Sequence, residues 1–332
     1  MSLKVAVNGT GRIGSIVIKI LSKREDIELV AINTTSKPEM LEYLLKYDSV
    51  HQGIDAKVID AENIEINGKV VRMFSDRDPA KVDFGSCGAS VVLECTGAFL
   101  TTEACQAYLH GGVEKVVMSA PAKDDTPTYV LNINSDDYKG EAIISNASCT
   151  TNGLAPICKV LDDVFGIENG LMTTIHSYTN DQNILDVKHN KDFRRARAAA
   201  VNMIPTTTGA AKAIGLVMPQ LKGKLNGYAM RVPTPDVSVV DLTANLKRSV
   251  TKEEVVNAMV EASQNGFAGL LEVDFDKRVS SDFIGSTYSS TFVPDMTSVV
   301  GGTTVKVLAW YDNEWGYSSR LVDMAKLIGT HK

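Results

Sequence analysis

A chain of 332 residues, 44% apolar and 22% charged, is too long for one ordinary core and reads as a globular protein of two domains. Its net charge of −6 argues against nucleic acid as a main partner, and no apolar run is long enough to span a membrane. Five cysteines without a C-x-x-C pair, and no cleavable signal ahead of Lys4, predict a reducing, cytoplasmic home with neither a disulfide framework nor a zinc site.

Residues 1–148 alternate two patterns. Apolar strands are predicted at 4–8, 28–33, 58–59, 64–73, 91–95 and 115–118, with helices at 13–22, 40–46 and 102–109. Asn67-Gly68 splits the 64–73 stretch as a hairpin turn. Such βαβ succession implies an α/β domain, a mostly parallel sheet with helices on both faces. A strand-like segment at 142–144 leads into small hydroxyl residues and then a helical pattern ending at Phe165. Pro156 belongs in a first turn, so that helix is predicted to begin near residues 150–152. Beyond residue 149 the texture changes. Segments 170–178, 227–233, 236–246, 269–273 and 305–311 are rich in Val, Thr and Met, and many alternate in polarity as half-exposed antiparallel strands do. Helices are predicted at 208–218, at 252–264 behind a Thr251–Glu254 capping box, and at 316–328. The second part is expected to be an α+β catalytic domain, residues 149–315, with a mainly antiparallel sheet.

Gly9-Thr10-Gly11-Arg12-Ile13-Gly14 is a G-x-G-x-x-G run that follows a strand and opens a helix. In that context it predicts a Rossmann-type dinucleotide site, with the pyrophosphate over the N–H groups of Arg12 and Ile13. The second strand then runs into Thr34-Thr35-Ser36-Lys37, where a carboxylate for the adenosine ribose is expected. Hydroxyls and a lysine there tolerate or bind a 2′-phosphate, so NADP and NAD both remain open.

Cys149 stands where the 150–165 helix begins, so helix N–H groups and dipole favour its thiolate and offer donors to an oxyanion. A buried structural cysteine is the alternative. His176 lies on an apolar strand, where a satisfied core histidine is the alternative to a catalytic base. Together with a dinucleotide fold, the two suit thiolate attack on an aldehyde, proton removal by His176 and hydride transfer. The basic run 188–197 with Arg194, Arg195 and Arg197, the Thr206-Thr207-Thr208-Gly209 stretch before a helix, and Arg231 look like anion receptors, though a solvated face is the alternative for the arginines.

Ser145-Asn-Ala-Ser-Cys149-Thr-Thr-Asn152, followed by Leu154-Ala-Pro156, resembles the signature of the phosphorylating glyceraldehyde-3-phosphate dehydrogenases. The likeness covers essentially the whole chain. It includes the Asn8–Gly14 run, the 44–49, 115–118, 205–212 and 223–226 stretches, Arg231-Val-Pro-Thr-Pro235 and Trp310-Tyr-Asp-Asn-Glu314. This resemblance implies Cys149 as nucleophile and His176 as base, with a thioester on the sulfur. Ser148, Thr150, Thr208 and Gly209 would help hold attacking phosphate, while Thr179, Asp181, Arg195 and Arg231 would hold the phosphates of substrate and cofactor-side ligand. Gly9, Gly11, Thr34, Thr35, Arg77, Thr96, Gly97 and Ser119 would line the cofactor groove, and Asn313 would bind the nicotinamide carboxamide. It further implies glyceraldehyde 3-phosphate and inorganic phosphate as partners, and a homotetramer whose 179–205 loop reaches a neighbouring subunit. The first domain would be 1–148, with residues 316–332 a helix returning to it. Two departures stand out: Gly153 replaces the common second cysteine, and Asn33-Thr34-Thr35 replaces the usual Asn-Asp-Leu. A sister enzyme acting on erythrose 4-phosphate and a non-catalytic nicotinamide-binding regulatory protein are the rival readings.

Overall fold

The computed structural model describes residues 2–190 and 192–331; Lys191, part of the basic run, lies outside the described residues. The chain divides into two compact units, Met1–Ser148 with Ser318–Lys332, and Cys149–Tyr317.

The first unit is built on an eight-stranded sheet, β1 (Leu3–Asn8), β2 (Ile27–Asn33), β3 (Ala56–Val58), β4 (Asn63–Ile66), β5 (Lys69–Phe74), β6 (Val91–Glu94), β7 (Lys115–Met118) and β8 (Ile143–Ser145). The spatial order is β3-β4-β5-β2-β1-β6-β7-β8. From β5 to β8 every pair is parallel, and β3–β4–β5 is an antiparallel edge. Asn67 and Gly68 take φ of 47° and 78°, the left-handed pair that a tight hairpin between β4 and β5 requires. The strand order reverses at β1, where doubly wound sheets open a ligand crevice. The unit also holds helices α1 (Arg12–Leu21), α2 (Pro38–Lys46) and the short α3 (Thr102–Cys105). The helix expected over 102–109 tightens into a 3-10 turn at Gln106–Tyr108, which lets Tyr108 stack on Phe84 inside the core. Lys19 of α1 is 0% exposed, and its Nζ lies 2.8 Å from Asp48.

The second unit holds α4 (Cys149–Phe165), β9 (Ile167–Ser177), β10 (Ile204–Thr207), α5 (Ala210–Val217), β11 (Leu225–Val232), β12 (Ser238–Leu246), α6 (Lys252–Gln264), β13 (Leu271–Val273), β14 (Ser290–Phe292), β15 (Ser298–Val300) and β16 (Thr304–Tyr311). Its sheet runs β10-β11-β9-β12-β16-β14-β13, with β15 beside β16. Only β9–β11 and β13–β14 are parallel, so the sheet is mainly antiparallel. The capping box at Thr251 forms as the sequence predicts. The start of α4 differs from expectation. It begins at Cys149 and carries Pro156 in its interior, where proline donates no bond to the Asn152 carbonyl. Burial explains the tolerance: twelve of its residues are buried, and packing on α5, α6 and four strands outweighs the loss of one backbone bond. The last helix, α7 (Trp315–Thr330), enters the first unit at Ser318. Among the described residues no helix is long and apolar enough to cross a membrane.

Candidate active site

In the first unit, β1 ends at Asn8 and the chain turns through Gly9 with φ +95° before α1. A Cβ on Gly14 would stand 1.9 Å from the Gly9 carbonyl oxygen, so only glycine lets the helix pack on this turn. A Cβ on Gly11 would meet nothing within 4 Å, which leaves room for a ligand over the helix terminus. Beside this turn lies a cleft of about 520 Å³ lined by Gly9, Thr10, Gly11, Thr34, Thr35, Arg77 and Thr96, among others. Of the expected groove residues, Arg12, Ile13, Gly97 and Ser119 fall outside that lining. The Arg12 guanidinium turns instead to Asp48, 3.1 Å away, and the Ser119 N–H donates to the Glu94 carbonyl at 2.9 Å.

The floor of the cleft is a polar network that sequence reasoning missed. Glu94, 1% exposed, accepts from the Asn8 amide at 2.7 Å, from the Tyr108 hydroxyl, and from the N–H and hydroxyl of Thr96. Asn33 donates to Asn8 Oδ1 at 2.7 Å, so the ends of β1, β2 and β6 are tied together. Its signal was a lone carboxylate in the apolar strand Val91-Val-Leu-Glu94. At the ribose edge the Thr34 hydroxyl lies 2.6 Å from that of Thr10 and accepts from the Ser36 N–H at 3.1 Å.

In the second unit Cys149 Sγ lies 3.6 Å from His176 Nε2. The ring is 4% exposed, and its Nδ1 stands 2.7 Å from the Ser177 carbonyl. The same Nδ1 lies 2.9 Å from Arg231 Nη1; with its proton given to the shorter contact, the Ser177 carbonyl, the Nε2 lone pair faces the sulfur. Burial first, and then the Arg231 charge, push His176 down to about 3, against the pull of the Ser177 carbonyl. Crowding also pushes the Cys149 thiol up, outweighing Arg231, the Thr150 hydroxyl and the N–H groups of Thr150 and Cys149. At Cys149 the helix terminus and the Arg231 charge therefore favour the thiolate, and desolvation opposes it.

Arg231 is adjacent because β11 and β9 pair in parallel register, Arg231 opposite His176. Its Nη1 donates to the Ser177 carbonyl at 3.0 Å and lies 3.5 Å from the Thr179 hydroxyl, while its buried Nε has no partner. Among the described residues no carboxylate pairs with it, which leaves a cation to receive an anion. Arg195 organises a second group. Its Nε donates to the Thr206 hydroxyl at 2.8 Å and its Nη2 to the Thr207 carbonyl at 3.2 Å, beside Thr208 and Gly209 at the start of α5. Asp181 is its ion-pair partner, so that carboxylate orients the guanidinium rather than meeting an anion itself. Arg197 is taken by Asp186 at 2.7 Å, and the exposed Arg194 lines a surface pocket with Thr206 and Thr207. Asn313, 5% exposed, accepts at Oδ1 from Ser177 and Ser238 hydroxyls at 2.9 and 2.7 Å, which orients its NH₂ group. Ser148 precedes Cys149 and is half-buried. Thr150, Thr174 and Tyr311 form a buried hydroxyl cluster behind Cys149 that the sequence reading did not single out beyond Thr150.

Two family models match the chain. Residues 3–102 match the glyceraldehyde 3-phosphate dehydrogenase NAD binding domain, and residues 148–313 match the glyceraldehyde 3-phosphate dehydrogenase C-terminal domain. The chain is 51% identical over 331 residues to glyceraldehyde-3-phosphate dehydrogenase of Priestia megaterium, covering 99% of this chain and 98% of that one. It is equally similar, over the same shares, to glyceraldehyde-3-phosphate dehydrogenase 1 of Bacillus subtilis. It is 50% identical to the chloroplastic glyceraldehyde-3-phosphate dehydrogenase A of Zea mays, covering 98% of this chain and 82% of that one. Both parts of the chain thus belong to one full-length relationship, and the chain is a member of the glyceraldehyde-3-phosphate dehydrogenase family.

Proposed function

We propose that this chain oxidises D-glyceraldehyde 3-phosphate, with phosphate and NAD(P)+, to 1,3-bisphosphoglycerate, reversibly and in the cytoplasm as a homotetramer. The observation that carries the reading is the 3.6 Å contact between Cys149 Sγ and His176 Nε2 beside Arg231, whose guanidinium meets no carboxylate among the described residues. Cys149 Sγ attacks the aldehyde carbon, and its proton passes through Nε2 to the carbonyl oxygen, giving a thiohemiacetal. An anion on Arg231 offsets the charge that depresses His176, so substrate binding itself readies the base. Nε2 then removes the hydroxyl proton as hydride departs and a thioester forms. The oxidised nicotinamide of bound NAD(P)+ supplies the hydride acceptor. A phosphate oxygen attacks the thioester carbonyl, and the thiol regains its proton as the acyl phosphate leaves.

The cleft suits the dinucleotide: the open space over Gly11 and the donors at the start of α1 receive a pyrophosphate; Asn313, its amide oriented by Ser177 and Ser238, is the residue assigned to the carboxamide. Arg231 and Thr179 hold one phosphate. Ser148, Thr150, Thr208, Gly209 and Arg195 hold the other, with Asp181 steering Arg195. NADP+ is used at least as well as NAD+, because no carboxylate stands at position 34. The test is reduction of each cofactor with glyceraldehyde 3-phosphate, with and without phosphate. Reduction that needs phosphate, accepts arsenate in its place and vanishes in Cys149→Ser is expected; turnover retained in Cys149→Ser overturns the reading.

A further inference from the structure

Behind the cysteine–histidine pair, one buried side chain touches both elements that carry it. Tyr311, 3% exposed at the end of β16, has its hydroxyl 2.9 Å from Thr150 Oγ1 in the first turn of α4 and 2.7 Å from Thr174 Oγ1 on β9. Its ring stands edge-on to His176, centroids 6.0 Å apart. The ring also fills the space that Gly153 leaves on α4, where a Cβ would stand 2.8 Å from Tyr311 Cγ. The glycine that departs from the common cysteine is therefore the point at which helix and ring meet.

Resting on the proposed function, we infer that Tyr311 is a positioning residue: its hydroxyl clamps the first turn of α4 to β9, fixing Cys149 opposite His176 and aiming the Thr150 hydroxyl at the acceptor phosphate. Burial pushes the phenol up, so the O–H keeps its proton, donating to one threonine and accepting from the other. Without the clamp, Thr150 turns freely, and the donors that lower the Cys149 thiol are no longer held to it. The charged and titratable groups facing that thiol are His176 from β9, Arg231 from β11 and Tyr311 from β16.

Tyr311→Phe keeps the ring and removes only the hydroxyl. The KM for phosphate is expected to rise about tenfold while the KM for aldehyde stays within about twofold, a split set by tenfold steps of binding. The pH midpoint of Cys149 alkylation by iodoacetamide should move upward. Thr174→Val removes the partner on β9 and serves the same two measurements if Tyr311→Phe does not fold. Gly153→Ala, pressing on the ring, should raise the phosphate KM as well. An unmoved alkylation midpoint, or a fall in kcat with both KM values unchanged, overturns the inference. A wild-type chain without phosphate-dependent turnover overturns the functional reading instead, and the alkylation midpoints then decide Tyr311.

Discussion

His176 shows how a single residue ties chemistry to stability. It is held neutral near 3 by burial and by Arg231, whereas an unfolded chain titrates it near its ordinary value of 6.5. Between those values the unfolded state binds the extra proton, so stability falls as pH drops through that window and is regained above it. His176→Asn removes this proton linkage. Its melting temperature should therefore decline less steeply than the wild type's between about pH 6.5 and 4, while hydride transfer slows by about 10²–10⁴-fold, as for loss of a general base. Parallel melting curves for both proteins, or near-normal single-turnover hydride transfer in the variant, would count against this account. Thr34 makes a second residue-scale case. Its hydroxyl already accepts the Ser36 N–H and shares a proton with Thr10, so an aspartate there finds two donors waiting. Thr34→Asp should accept the ribose 2′-OH, repel a 2′-phosphate and lower kcat/KM for NADP+ at least about tenfold, roughly 1.4 kcal/mol. Steady-state kinetics with both cofactors checks it; an unchanged ratio would make the hydroxyl turn a turn and nothing more.

At the scale of elements, the glycines of the first turn separate stability from binding. Gly11 has φ −69° and open space where its Cβ would be, so Gly11→Ala should leave the melting temperature nearly unchanged and weaken dinucleotide binding by filling the ligand's place. Gly14→Ala must push α1 off the Gly9 carbonyl and should lose about 1–3 kcal/mol of stability along with binding. Thermal melts with dinucleotide titrations would expose the error if the two variants behaved alike. These elements were largely legible, because β1, α1 and β2 show periods that a single segment carries within itself. Three-residue strands such as β14 and β15 were not, being too short to display a period. The start of α4 was placed late because local rules put Pro156 in a first turn, whereas packing from several sides holds the proline in the helix interior. Cys149 and His176 were visible through their surroundings in the sequence. Arg231 beside His176, Tyr311 behind Thr150 and Glu94 beneath the cleft depend on pairings 55, 161 and 86 positions apart, which no local pattern encodes.

The whole molecule poses a different problem: an acidic chain must gather anions, and the proposed answer is arginines held in local frames. Arg195 is framed inside the 179–205 segment, where Asp181 grips it and where the Val187 N–H donates to the Ala196 carbonyl at 2.9 Å. Arg197 and Asp186 close the same loop at 2.7 Å. Yet the segment turns apolar side chains outward, with Ile184 85%, Phe193 95%, Val201 75% and Met203 73% exposed. Full burial of each such side chain is worth about 1.5–3 kcal/mol, and an apolar face of this kind on a lone chain is an interaction surface. A second copy of the chain is the occupant proposed here, in keeping with a homotetramer. Sedimentation at micromolar concentration should then give the mass of four chains, and Phe193→Asp together with Ile184→Asp should lower it. Because Arg195 is framed by the same segment, the dissociated variant should also show a raised KM for phosphate while the isolated cleft keeps its dinucleotide affinity. A wild-type chain that sediments as a monomer, or a dissociated variant with an unchanged phosphate KM, would break the link between assembly and the anion site.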